Sequence, residues 1–528
     1  MKNTIDAFFT PRTRETIERT SRETSSGNDV DGGSRFSRCP VCEKDVLSIF
    51  LASHADGCEG KTRRESTSGS RRAAKPETSF AVKASMSGAN AFDSMMAAQK
   101  ERERVRTFTM KYDASLGRWR AMLEKTASTQ TATWSGKVVV KEKLASGSTC
   151  TTTLKLIYEA NENIKVTEHD ASILSAMAEA REVMDMKAKR AASVGDGEQL
   201  KVSVVKSALQ KNVRRGRSVA ATRVATHMSL QPDSFVELVR RLVIISLEDA
   251  ILHHEVPTLT WLMCATSKGF QPSDAMRACV VRIAGEIAAV STKDKVTYGA
   301  ARTGCEDPLT LNDVEAQLPE EESTLVQSLI IRAQFGGMPG DVAMLRGFSR
   351  VWLDRFKEKT STVPPEYDSL RNVEIIEEST TNRTPWLSFL EHTFEDARDS
   401  NEAEACKWGG FMRRSDIPIA AVDFHVSNCV ESILQTPTIR LRIVDAAKEL
   451  GLGDDVNATD TVKSAIWRHS AGVNFKRAIE TRSAKKVVKS RPETKPSRDD
   501  ELLLAIWDIV NEDLERWVTR YLAFRMPR

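Results

Sequence analysis

The chain has 528 residues, enough for two or three domains. Lys and Arg total 77 against 73 Asp and Glu, a net charge of +4, which excludes whole-chain attraction to nucleic acid or membrane and leaves any electrostatic partner to local clusters. No run of about 18 apolar residues occurs, so no membrane-spanning helix is expected; the N-terminus lacks the apolar core and cleavage site of a signal peptide, so an intracellular chain is.

In chain order, residues 1–14 come first. Ile5, Phe8 and Phe9 fall on one face of a short helical turn, and their apolar anchors need burial that nothing nearby supplies. Lys2-Asn-Thr-Ile5-Asp-Ala-Phe8-Phe9 resembles the PCNA-interacting peptide, with Lys2 where that pattern has Gln. The resemblance implies docking on a PCNA-type sliding clamp through Ile5, Phe8 and Phe9. Residues 15–35 and 61–105 are rich in Ser, Thr, Arg, Lys and Gly, and their composition predicts disorder.

Between them, residues 36–60 hold Cys39-Pro-Val-Cys42, eleven residues, His54, three residues, and Cys58. Two thiolates two residues apart fit a tight knuckle. His54 and Cys58, four apart, share one face of a helix. Cys39, Cys42, His54 and Cys58 thus supply four ligands to one structural zinc ion and leave no open position for catalysis. Val46, Ile49, Phe50 and Leu51 form a core too small to fold without the metal. The other six of the nine cysteines stand singly and read as small buried hydrophobes.

This finger resembles the Rad-eighteen class of ubiquitin-binding zinc finger, found in DNA damage-tolerance proteins. Ala52 and Ala55 stand where that class favours Asn and Leu. The resemblance implies a ββα finger that binds ubiquitin, or a ubiquitinated protein, through Asp56 and Leu51.

The remaining chain predicts a mainly α protein. Lys137 to Leu144 and Thr151 to Tyr158, flanking Ala145-Ser-Gly-Ser-Thr, predict a β-hairpin within a small α+β region over 106–170. Residues 171–475 predict a helical domain, or two subdomains. Its helical stripes include Phe235 to Leu252, with Asp233 or Ser234 as N-cap, Ala275 to Val290, Leu325 to Phe335 and Arg440 to Leu450. A basic linker over 476–500 precedes a C-terminal amphipathic helix, 501–528. The linker, with Lys485 and Lys486, fits a nuclear import signal or a DNA-contact strip.

Lys206, Lys211, Arg214, Arg215 and Arg217 form a basic cluster suited to phosphates, or a solvated helix end. Arg240, Arg241, Glu248 and Asp249 suit an internal ion-pair network. The segment 207–252 is faintly similar to the C-terminal helical region of the RarA and Werner-interacting ATPases, yet no Gly-x-x-x-x-Gly-Lys-Ser/Thr loop occurs. His253-His254-Glu255 lacks the second His of a metalloprotease helix, and no nuclease-like cluster stands out. These readings converge on a nuclear, non-enzymatic DNA-repair adaptor, with a recruited nuclease-like enzyme and a ubiquitin-pathway scaffold as the competing classes.

Overall fold

A computed structural model describes residues 36–38, 45–47, 103–124, 132–143, 149–160, 164, 166–194, 200–296, 309–358, 384–426, 428–450, 457–472, 498–523 and 525–526. The chain divides into two compact units, Met1–Ser85 and Met86–Arg528. In the first, β1 (Phe36–Arg38) and β2 (Asp45–Leu47) pair antiparallel, Phe36 opposite Leu47. Ile5, Phe8, Phe9, Cys39, Cys42, Leu51, His54, Asp56 and Cys58 lie outside the described residues, as do Lys485 and Lys486.

The second unit is mostly helical, with sixteen α-helices and one four-stranded sheet among the described residues. The strands are β3 (Glu103–Asp113), β4 (Arg118–Glu124), β5 (Trp134–Lys143) and β6 (Thr149–Glu159), in the order β4-β3-β6-β5. The expected hairpin is β5–β6. A second hairpin, β3–β4, was not read from the sequence, and β3 joins β6 in parallel at the centre. The β3–β4 turn is closed by Asp113, whose carboxylate accepts from Ser115 N at 3.0 Å and Leu116 N at 3.3 Å, a turn Asp makes readily.

Alternate residues of each strand make one buried face: Phe108, Met110, Trp119, Leu123, Val140, Leu154 and Leu156. Helix α5 (Val256–Thr266) packs there, and Trp261 Nε1 donates to Phe108 O at 2.8 Å. Around that indole, Trp134, Tyr158 and Phe270 lie at centroid distances of 6.0, 6.4 and 5.1 Å. Edge and tilted ring pairs of this kind contribute about 0.5–1.5 kcal/mol each beyond area burial.

The other helices are α1 (Glu168–Val194), α2 (Val202–Arg214), α3 (Ser218–Leu230), α4 (Pro232–Asp249), α6 (Asp274–Ala289), α7 (Leu311–Glu315), α8 (Glu320–Gln334), α9 (Pro339–Lys357), α10 (Pro385–Asp399), α11 (Glu402–Ala405), α12 (Ile419–Asp423), α13 (Asn428–Leu434), α14 (Pro437–Glu449), α15 (Ala458–His469) and α16 (Arg498–Ala523). The expected helices at 235–252, 275–290, 325–335, 440–450 and 501–524 correspond to α4, α6, α8, α14 and α16. The cap of α4 differs from expectation. Gln231 occupies it and Pro232 opens the first turn, where its missing N–H costs nothing.

Helix α6 lies at the centre, against α1, α2, α3 and α10. Gly285 on α6 admits the Trp408 ring, since a Cβ there would stand 2.6 Å from it. Helix α2 turns into α3 through Gly216, whose φ of +66° suits only a residue without Cβ. At the C-terminal end α13, α14 and α15 pack on α16. Leu502, Ile506, Val510, Leu514, Val518 and Leu522, each four residues on, bury one side of α16.

Candidate functional site

The basic cluster of α2 is drawn mostly into the fold. Arg214 Nε donates to Asp249 Oδ1 at 2.7 Å and Arg214 NH2 to Glu248 Oε1 at 3.3 Å. Arg215 NH1 donates to the carbonyls of His469 and Ser470 at 2.8 and 3.0 Å. Arg217 NH2 reaches Ser415 O at 3.0 Å, and Lys206 Nζ reaches Glu237 Oε2 at 2.6 Å. Guanidiniums committed to buried carboxylates and carbonyls are not free for phosphate, so Arg214 and Arg215 serve as ties from α2 to α4 and α15. This corrects their reading as phosphate contacts. The expected Arg240–Asp249 network is partly interhelical: Arg241 pairs with Asp341 at 3.5 Å and bonds Gln210, while Arg240 donates to Phe335 O at 2.9 Å and pairs within α4 with Glu237 at 3.0 Å.

Lys211 is buried, and its Nζ donates to Ser207 Oγ at 2.6 Å. That ammonium lies 5.6 Å from the Phe424 ring centre and 5.4 Å from that of Trp467. Burial, then Arg214 and Arg241, push its pKa down to about 7. Phe424 is 61% exposed and stands edge-on to His425 at 4.9 Å and to Trp467 at 5.7 Å. Burial lowers His425 to about 4, and Lys211, Lys206, Arg241 and Lys201 press in the same direction. Asp423 is raised to about 6 by burial, opposed by Lys463 and Lys211. Four elements bring these groups together: α2, α4, the turn after α12, and α15. Sequence reading found Lys211 but not Phe424 or Trp467. The segment Asp423-Phe-His425 carries an exposed ring at the end of α12.

These bases set a sign for stability against pH. The folded chain refuses a proton at Lys211 that the unfolded chain holds, between pH about 7 and the ordinary 10.5. Stability therefore rises with pH through that window. We expect Lys211→Met to flatten the rise and to stabilise the protein at pH 7–8 by roughly 1–3 kcal/mol, read from melting temperatures over pH 6.5–10 beside the unaltered chain. Buried His227, lowered to about 4, gives the same sign in acid: stability falls as pH drops from 6.5 toward 4.

A second convergence surrounds Arg282 on α6. Its NH2 donates to Glu255 Oε2 at 2.8 Å and its NH1 to Glu286 Oε2 at 2.9 Å, with Asp170 Oδ1 3.3 Å from Nε. His253 Nε2 meets Glu286 Oε2 at 3.1 Å. Arg118 NH1 meets His254 Nε2 at 2.9 Å, and Arg118 NH2 donates to Glu391 Oε1 at 2.5 Å. Burial works to raise the Glu286 carboxyl, but Arg282 and His253 hold it down to about 2. Burial raises the Cys279 thiol well above its ordinary value, helped by Glu255, so this cysteine is inert. The carboxylates thus close on a guanidinium. Among the described residues no group of three or more His, Cys, Asp and Glu is arranged to hold a metal ion. His253-His254-Glu255 precedes α5, with Pro257 in its first turn, so it is no metalloprotease helix. The adjoining cavity, lined by Arg118, His254, Glu255, Thr258, Glu321 and Glu391, has a volume of about 40 Å³. That is room for two or three waters and far below the few hundred Å³ of a small-molecule site.

Comparisons with family models, curated proteins and solved structures found no match to this chain. Among the described residues no helix is long and apolar enough to cross a membrane.

Proposed function

We propose that this chain is a ubiquitin-reading adaptor of the nuclear DNA damage response. One structural zinc ion on Cys39, Cys42, His54 and Cys58 shapes the finger, and Asp56 with Leu51 meets ubiquitin. Ile5, Phe8 and Phe9 dock on a PCNA-type sliding clamp, and the helical body contacts DNA. The observation that carries the reading is the ligand spacing, Cys-x2-Cys, eleven residues, His-x3-Cys, with an acidic residue between His54 and Cys58. The pairing is chemically economical: a ubiquitinated clamp displays both ligands, and two weak sites on one chain gain from effective concentration.

The test uses the full chain. Elemental analysis is expected to return one zinc per chain, and immobilised mono-ubiquitin is expected to retain the protein. Asp56→Ala should weaken that retention about tenfold without loss of zinc, as truncating a central contact does. A chain without zinc, or equal retention of the variant, overturns the proposal.

A further inference from the structure

Phe424 is a large apolar ring, 61% exposed, at the end of α12, which packs on α2, α13, α15 and α16. An exposed aromatic is poor economy unless something covers it. Its two ring neighbours, His425 and Trp467, both meet it edge-on, at 83° and 84°, so neither lies flat upon it. Around it the field is cationic. Lys201, Lys206, Lys211 and Arg241 all bear on His425, and Lys463 bears on Asp423. Lys206 and Arg241 have carboxylate partners in Glu237 and Asp341. No ion pair to Lys201, Lys211 or Lys463 is formed among the described residues. The opposing charge is Asp423, whose carboxyl is mostly buried beside those lysines.

We propose that Phe424, Trp467 and His425, with Lys201 and Lys463 about them, bind single-stranded nucleic acid. An unpaired base stacks on Phe424, and the flanking phosphates lie against the lysines. Stacking on an open ring and a cationic rim around it are the two components of sequence-tolerant single-strand binding. A duplex keeps its bases stacked inside and presents nothing to Phe424 except at its ends. This rests on the DNA-contact part of the proposed function and is independent of the finger.

The test is fluorescence anisotropy of the full chain with labelled dT20, U20 and a 20-base-pair duplex, at 50 and 200 mM salt. The single strands should bind and the duplex should bind more weakly; dT20 against U20 shows which nucleic acid is preferred. Phe424→Ala, which removes an exposed ring, should leave the melting temperature unchanged and weaken binding about tenfold. Lys201→Ala with Lys463→Ala should reduce the salt dependence by about two phosphate contacts. Equal binding by Phe424→Ala, tighter binding of the duplex, or no binding of either strand at 50 mM salt overturns the site. The same Phe424→Ala protein must still be retained by mono-ubiquitin. If Asp56→Ala keeps ubiquitin binding while Phe424→Ala loses the strand, the finger reading fails and this site stands.

Discussion

Replacing Arg282 with alanine is expected to destabilise the helical unit by roughly 3–5 kcal/mol, the range for breaking a buried ion pair on one side. The reason is what stays behind. Glu255 and Glu286 lose a guanidinium that meets them at 2.8 and 2.9 Å, and Asp170 loses its neighbour at 3.3 Å. Arg398, 3.6 Å from Glu286, is the nearest cation that remains, so burial pushes the pKa of these carboxyls up in the variant and they take up protons more readily. The variant should therefore regain stability as pH falls toward 5 and lose it as pH rises, opposite to the slope that Lys211 and His227 impose on the unaltered chain. Denaturant midpoints at pH 5, 7 and 8.5 measure both effects. A loss under about 1 kcal/mol with no change of slope would mean the carboxylates find other partners and the centre is incidental.

Trp261→Ala is expected to cost a similar amount, about 3–5 kcal/mol, by emptying the space between α5 and the sheet. The indole has no exposed surface, and its N–H satisfies a strand carbonyl. Trp261→Phe separates the two contributions. It keeps much of the ring packing against Trp134, Tyr158 and Phe270 but leaves Phe108 O without its donor, at about 1–2 kcal/mol. Urea midpoints of the three proteins read the difference; equal losses for Phe and Ala would place the whole effect in the hydrogen bond.

How far the fold could be read follows from where its signals lie. Helix α6 and helix α16 show a helical stripe in sequence, and the structure places them within a few residues of the expected bounds. Hairpin β5–β6 is marked in the sequence by a run of Val before Ser-Gly-Ser and a run of Thr after it. Helix α5 gave no such signal, because Val256 to Ala265 are all buried and no polar side sets a period. The parallel pairing of β3 with β6 has no local mark; it depends on the surface of α5. The basic cluster at Lys211–Arg217 was legible as charge but not as partnership. Arg214 finds Asp249 35 residues on, and Arg215 finds His469 254 residues on, distances over which composition carries no information. The Phe424 platform was hidden for the same reason, since Lys211, Phe424 and Trp467 meet only once α2, α12 and α15 have packed.

The order β4-β3-β6-β5 places the first and last strands of the segment side by side in the middle of the sheet. That arrangement governs where the chain can be cut. A fragment begun at residue 171, at the start of the helical periodicity, would remove all four strands and leave Trp261, Phe270 and the apolar side of α5 facing water. One begun at residue 125 would keep a single hairpin with β6 as an open edge in place of a central strand, a template for pairing between molecules. The smallest soluble helical fragment has to carry the chain from residue 103 onward.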